Sequence, residues 1–332
     1  MRSDRRGFLG LAAAATAALA APARARAGAA AGTVKPARLR PGDLVGLANP
    51  ADVRASAADR EAATRALEGL GLRVAPGVVA GEARPADDAA RADEINQFFE
   101  DDGVRAIVPL RGGFGCARLL RHLDYDLIRR HPKVLIGFSD VGALLLGVHA
   151  RTGLVTFHGP MGNSAWEPFT VEQLRRVLFE GEAAALPSRG ETRALVEGSA
   201  RGTLWGGNLT VVSSMVGSPY LGGEGDGVLF LEEVGEPYSE VDRMLTQLEL
   251  AGVLDRVRGL AFGQCTRCAS PSINKALTLD RVLLDRLGKR GIPVWRGAAI
   301  GHGGGQLTVP IGLPVEMDAG RGLIQLLEPA VC

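Results

Sequence analysis

Between residues 44 and 160 the sequence alternates short apolar runs with stretches of helical spacing, and few folds accommodate that order. LVGLANP (44–50) is followed by residues 55–70, where Ala63, Ala66, Leu67 and Leu70 recur at helical spacing, giving a β-α opening. A second helix-like stretch, 86–99, precedes AIVPLRGGFG (106–115). After a Leu-rich polar segment come KVLIGFSD (133–140), the helix-like VGALLLGVHARTG (141–153) and LVTFHGP (154–160). Such alternation predicts an α/β fold with a parallel sheet covered by helices on both faces. Ligands of these sheets sit at the carboxyl ends of the strands, where both RGGFG and GFSD fall.

The rhythm then breaks. Residues 165–193 are rich in Pro, Glu and Ala, with a helix expected over 171–180 and no core strand, so they read as a crossover between domains. The preceding domain spans 35–164 and the following one 194–332. The latter has strand-like TRALVEG (192–198), a Gly-rich WGGNLTVVSSMVGSPY (205–220) and strand GVLFLEEV (227–234). An amphipathic helix (239–257), strand GLAFGQC (259–265), a helix (275–290) and the closing strands LTVPIG, PVEMD and LIQLLEP complete it. That pattern predicts a separate β-rich α/β domain.

Charge narrows the partners. The 38 basic and 37 acidic residues nearly cancel, and the basic ones are spread along the chain, which argues against nucleic acid. Residues 1–27 have a basic start, an apolar run from Phe8 to Ala21, and Ala25 and Ala27 flanking Arg26, the order of a cleavable export signal. Arg5-Arg6-Gly7-Phe8-Leu9 resembles a twin-arginine signal, with Asp4 standing where Ser or Thr is usual. The apolar run is short for a membrane span, so no stable insertion is expected once the signal is removed. With no Cys in the signal, a lipoprotein anchor has no support. The expected location is periplasmic or otherwise extracytoplasmic, an oxidising compartment in which Cys265 and Cys268 can pair or remain free. Without a second CxxC or a His pair these two do not suggest zinc, no metal or cofactor is expected, and Cys116 and Cys332 read as buried or incidental thiols.

Reactive groups are few. Ser139 follows a strand ending in Gly137-Phe138 and begins a helix; local spacing favours an N-cap there over a nucleophile, although the free N–H groups of the first helical turn would lie beside its hydroxyl. It lacks the GxSxG elbow, because Gly142 comes one place too late. His122 and His131 lie in Arg-rich, surface-like segments, His149 falls on the helix after Ser139, and His158 follows a strand. His302 precedes three glycines at the end of an apolar strand, where a close-approach loop presents it. Glu232 and Glu233 end the apolar strand GVLFL, an expensive place for charge unless it is paired or used. For Glu233 the simple alternative is a salt bridge to Arg243.

Seven stretches, in order, carry a resemblance: RPGD (40–43), RGGFG (111–115), IGFSD (136–140), HGPM (158–161), WGGNL (205–209), LFLEEVGEPYSEVDRML (229–245) and GHGGGQLTVPIG (301–312). Together they resemble the LD-carboxypeptidase family of serine peptidases, which includes murein tetrapeptide carboxypeptidases and microcin C self-immunity peptidases. The resemblance implies a flavodoxin-like or Rossmann-like N-terminal domain joined to a β-rich C-terminal domain, with the site in the cleft between them. It implies Ser139 as nucleophile, His302 as base, Glu232 as the residue orienting that base, and the N–H groups of Gly113 and Asp140 as oxyanion hole. Trp205, Asn208 and Arg243 are candidate substrate or supporting contacts, with packing the simple alternative for Trp205, and helix stabilisation or pairing with a glutamate an equal one for Arg243. Phe114 stands where the family usually has Tyr, and Glu232-Glu233 where it often has Glu-Asp. The implied activity is metal-independent release of a D-amino acid from an LD-linked murein peptide, by a homodimer. Two other expectations stay open: the same three residues acting on a peptidyl or aminoacyl nucleotide, and a periplasmic peptide-binding protein without chemistry. The low aromatic content, 5%, offers few stacking surfaces for a nucleobase.

Overall fold

The computed structural model describes residues 32–51, 55–77, 87–221, 227–270 and 276–332. The predicted signal, residues 1–27, lies outside the described residues, as do the first residues expected of two helices, Ala86 and Lys275.

The first layer follows the alternation read from the sequence. Strand β1 (Leu44–Ala48) leads to helix α1 (Ala57–Gly69), whose N-terminus carries a reciprocal cap between Ser56 and Asp59. Strand β2 (Arg73–Pro76), helix α2 (Asp88–Glu100) and strand β3 (Val104–Pro109) follow. The Leu-rich polar segment holds two short helices, α3 (Cys116–Leu119) and α4 (Tyr125–Arg130). Strand β4 (Val134–Gly137) then passes through one 3-10 turn (Ser139–Val141) into α5 (Gly142–Thr152), and β5 (Thr156–His158) follows. These strands pair in parallel in the order β5-β4-β3-β1-β2, the flavodoxin-like arrangement. The α/β class expected from the sequence is therefore the one observed. Strand β2 was not anticipated; its burial is shallow at this sheet edge, so the apolar signal is weak.

The segment read as a crossover contains helix α6 (Pro168–Leu174), begun by a Pro in its first turn and continued by a π-turn (Arg175–Phe179), and also a strand, β6 (Ala185–Pro187). Strands β7 (Arg193–Val196) and β8 (Ser199–Asn208) follow, then helix α7 (Leu209–Ser214) and strand β9 (Gly227–Val234). Helix α8 (Tyr238–Leu250) stops earlier than its predicted end at residue 257, because Gly252 adopts a left-handed φ of 72° and a 3-10 turn (Leu254–Arg256) intervenes. Strand β10 (Val257–Thr266), helix α9 (Leu279–Leu287) and strands β11 (Val294–Arg296), β12 (Val309–Ile311), β13 (Leu313–Asp318) and β14 (Leu323–Leu326) complete the chain. Eight of these strands form a mixed sheet in the order β6-β14-β13-β8-β9-β10-β11-β7, with β8, β9, β10 and β11 parallel at its centre.

One closing strand departs from expectation. β12 does not join the second sheet but pairs antiparallel with β5, with Val309 opposite His158, so the distal chain closes the edge of the first sheet. Strand partners so remote in sequence carry no local signature. Helix α5 packs against both β8 and α7, and one continuous apolar core runs through both sheets.

His158 lies at this seam, 2% exposed, with neither ring nitrogen hydrogen-bonded among the described residues. Burial, with the neighbouring His302 adding to it, holds His158 down to about 3 from its ordinary value of 6.5. In the unfolded chain this ring takes a proton below pH 6.5, whereas in the folded chain it stays neutral to about pH 3, so His158 erodes stability as pH falls through that window. His158→Leu is accordingly expected to lose less unfolding free energy than the parent between about pH 7 and about pH 4, as read from urea unfolding curves. An unchanged loss contradicts this assignment.

Candidate functional site

The carboxyl ends of β3 and β4 present RGGFG and Ser139 side by side. Ser139 is not the helix cap that its position suggests. It lies inside the 3-10 turn with φ 61°, its hydroxyl makes no cap bond, and α5 begins beyond Val141. A left-handed serine costs about 1–3 kcal/mol and persists only where the surroundings fix it. Among the described residues only Arg267 shares that distinction outside glycine.

The surroundings that fix Ser139 come from the RGGFG turn. A Cβ placed on Gly112 would stand 3.0 Å from Ser139 Cβ and 3.2 Å from its Oγ, so glycine is what lets the two turns touch. The next residue, Gly113, is exposed, and its N–H has no acceptor among the described residues. Asp140 binds the two turns together by its carboxylate, whose Oδ2 accepts from Cys116 N at 2.9 Å. Sequence reasoning assigned Asp140 only a backbone role and missed this tie. Burial first, and then Asp140, push the Cys116 thiol well above its ordinary range, so it stays a protonated core group.

From the second sheet, β9 delivers Glu232, fully buried, and the loop after β11 delivers His302. His302 Nδ1 lies 2.8 Å from Glu232 Oε2. Burial raises the Glu232 carboxyl above its ordinary value, opposed mainly by the hydrogen bond and charge of His302. A Cβ on Gly301, whose φ is 126°, would fall 2.8 Å from Glu232 Oε2, so the histidine loop can lie on this carboxylate only through glycine. Gly303 N donates to Gln264 Oε1 at 2.6 Å, and the Gln306 side-chain amide donates to Gly301 O. Gln264 and Gln306 escaped sequence reasoning; the one available sign was a polar amide on each side of an otherwise apolar strand or glycine run.

The two halves meet through Phe138. Its ring stands 4.9 Å from that of His302, edge-on, and 6.1 Å from that of His158, while its own chain neighbour is Ser139. Since Nδ1 faces a carboxylate, the neutral ring carries its proton there and presents the Nε2 lone pair on its other side. A hydroxyl, a basic nitrogen oriented by a buried acid, and an unengaged N–H in the turn that touches the serine are the parts that acyl transfer requires.

Trp205 and Arg243 are engaged elsewhere, whereas Asn208 lies opposite Glu232 in the β8–β9 register and its side chain helps hold the Glu232 carboxyl down. Trp205 is 4% exposed within β8, its indole filling the space above Gly227. Asn208 caps α7, accepting from Val211 N at 3.2 Å and donating to Glu233 Oε1 at 3.2 Å. Arg243 projects into solvent and pairs with Glu240 one turn earlier. The expected Glu233–Arg243 bridge is therefore absent; Glu233 instead accepts from Thr210 N and Thr210 Oγ1, both at 2.8 Å, and from Val234 N at 2.8 Å. It anchors the start of α7, and the buried carboxylate is satisfied by N–H and O–H donors rather than by a cation. His149 is also packed inward, with Nδ1 2.9 Å from Leu154 O.

This geometry makes Gly301 a sensitive point. Gly301→Ala is expected to lower the urea midpoint and to slow any reaction that depends on His302, since the methyl displaces the ring from Glu232. Parent-like values for both contradict the packing described.

Comparison with known proteins agrees with this layout. Residues 44–159 match the family model described as LD-carboxypeptidase N-terminal domain, and residues 201–317 the one described as LD-carboxypeptidase C-terminal domain. The chain is 36% identical over 265 residues to a probable murein peptide carboxypeptidase of Bacillus subtilis, covering 76% of this chain and 82% of that one. The structure superimposes on a muramoyltetrapeptide carboxypeptidase from Oxalobacter formigenes with a TM-score of 0.76 and 26% identity, over 85% of this chain and 97% of the other. It superimposes on the microcin C7 self-immunity protein MccF of Escherichia coli, solved with glutamyl sulfamoyl guanosine, with a TM-score of 0.81 and 25% identity, over 90% and 99%. With both halves matched in order around the seam just described, the chain belongs to the LD-carboxypeptidase family.

Proposed function

We propose that this protein is a serine carboxypeptidase that releases a terminal D-amino acid from an LD-linked murein tetrapeptide. The observation that carries the reading is the Glu232–His302 hydrogen bond, 2.8 Å long, with Phe138, the residue just before the left-handed Ser139, packed edge-on against His302. His302 Nε2 takes the proton of Ser139 as Oγ attacks the scissile carbonyl, and Glu232 stabilises the imidazolium that forms. The N–H groups of Gly113 and Asp140 receive the developing oxyanion; one such donor is worth roughly 10²–10³ in rate. Collapse of the tetrahedral species passes the proton from His302 to the leaving amine. A water molecule, deprotonated by the same histidine, then hydrolyses the acyl-enzyme. The names of the murein-acting relatives support the substrate class, and the ordered charge, apolar run and small residues of 1–27 support an exported enzyme.

A second reading, hydrolysis of an aminoacyl nucleotide by the same three residues, has one observation of its own. Phe114, 57% exposed, follows Gly113 directly and has Arg118 5.9 Å from its ring centroid, an open face on which a base can stack. Murein peptide ranks first because the higher sequence identity is with the murein-acting relative.

The test is a substrate panel of LD-linked and DD-linked murein tetrapeptides and a glutamyl-nucleotide, with release followed by mass spectrometry. The expected result is D-amino acid release from the LD-linked peptide alone, reduced roughly 10⁴-fold or more in Ser139→Ala and also strongly in Glu232→Gln, with folding retained. Preferential cleavage of the nucleotide selects the second reading. Binding of peptide without release, by parent and Ser139→Ala alike, selects a binding protein and overturns both.

A further inference from the structure

Cys265 and Cys268 are joined by a disulfide at the end of β10, and the six residues around it touch both the histidine loop and the loop that follows the glutamate-bearing strand β9. Toward the histidine loop, Gln264 N donates to Ile300 O at 2.9 Å and Gln264 Oε1 accepts from Gly303 N at 2.6 Å, bracketing His302. Toward the glutamate side, Cys265 lies opposite Glu233 in the β9–β10 register. Beyond it, Gly235 N donates to Thr266 O and Tyr238 N to Ala269 O, each at 2.8 Å, with Pro237 and Ala269 forming an isolated bridge. A single short segment thus fixes where β9 ends and where the histidine loop begins.

Within that ring Arg267 holds φ 56°, the other left-handed non-glycine residue among those described. A conformation of this kind persists only where the chain around it is over-determined, and a four-residue covalent ring supplies that constraint. Arg267 is exposed and both cysteines are half-buried, so a reductant can reach the bond. The other two cysteines take no part: Cys116 is buried and Cys332 lies at the chain end.

We infer that the Cys265–Cys268 disulfide is a redox-sensitive clamp that holds Glu232 and His302 in register, so that reduction by a dithiol lowers the activity of the site. The inference rests on the reading of these two residues as the acid–base pair of a serine peptidase. The exchange balances simply. A dithiol delivers two electrons and two protons, the S–S bond breaks, two thiols form, and the donor becomes a disulfide. Arg267 is then free to leave its left-handed conformation, the segment 264–269 loosens, and the hydrogen bonds to Gly235, Tyr238 and Gly303 weaken together.

The experiment uses the full purified protein, oxidised or treated with dithiothreitol, the state of Cys265 and Cys268 being mapped by alkylation and peptide mass. Hydrogen exchange and tetrapeptide hydrolysis are measured on both forms. Reduction is expected to speed exchange over residues 235–238 and 300–303, to lower kcat/KM by about 10- to 100-fold, the scale for misplacing a catalytic group by an ångström, and to be reversed on reoxidation. The double variant Cys265→Ala, Cys268→Ala should match the reduced form and ignore dithiothreitol. Unchanged exchange, or faster exchange with undiminished hydrolysis, overturns the clamp. If the oxidised protein hydrolyses nothing, the peptidase reading fails, and the exchange measurement still decides whether the disulfide holds the two loops.

Discussion

A carboxylate with no exposure to solvent is tolerated in a protein interior only if something compensates it, and Glu232 has His302. Much of the second sheet serves that one hydrogen bond. Glu232 sits where β9, between two parallel neighbours, runs out of apolar sequence; Gly301 removes the side chain that would separate it from the histidine loop; and Gln264 and Gln306 hold that loop's backbone. The adjacent Glu233 has a different fate one residue away. Strand alternation turns it to the opposite face, where it anchors the start of α7 through Thr210 and Asn208. Two neighbouring acids are thus separated by the pleat into one that orients an imidazole and one that is structural.

The first sheet supplies the complementary half by a different device. Its parallel strands end together, so the turns after β3 and β4 meet, and Gly112 allows contact close enough to hold Ser139 in the left-handed region. Strain at Ser139 is held by packing and by the Asp140 tie to Cys116 rather than by any cap. Phe138 then transmits position between the halves, because it adjoins Ser139 in the chain and His302 in space. The return of β12 to the edge of the first sheet joins the two layers so that this juxtaposition does not depend on a single hinge.

Much of this was readable in the residues, for physical reasons that differ from place to place. Apolar runs ending in glycine located β3, β4 and the turns that follow, since buried parallel strands must be apolar and their carboxyl ends must turn. An acid pair closing GVLFL could be recognised as costly without any structure. Ser139 itself was ambiguous, because cap and nucleophile look alike in sequence; its left-handed φ removes the cap and does not by itself assign the other role. For Trp205 the packing alternative and for Arg243 the pairing with a glutamate are what the structure shows, and Asn208 supports the acid pair through Glu233; which alternative holds is set by pleat and helix phase in three dimensions, not by the local pattern. The partner of β12 and the contacts of Gln264 depend on residues distant in sequence, so no local pattern could announce them.

The central claim is that Ser139 is activated by the buried Glu232–His302 pair, and covalent labelling tests it most directly. Incubation with a fluorophosphonate, followed by peptide mass mapping, should place a single adduct on Ser139, formed fast in the parent and far more slowly in Glu232→Gln. An adduct on another residue, or equal labelling rates at Ser139 in both proteins, would contradict the account.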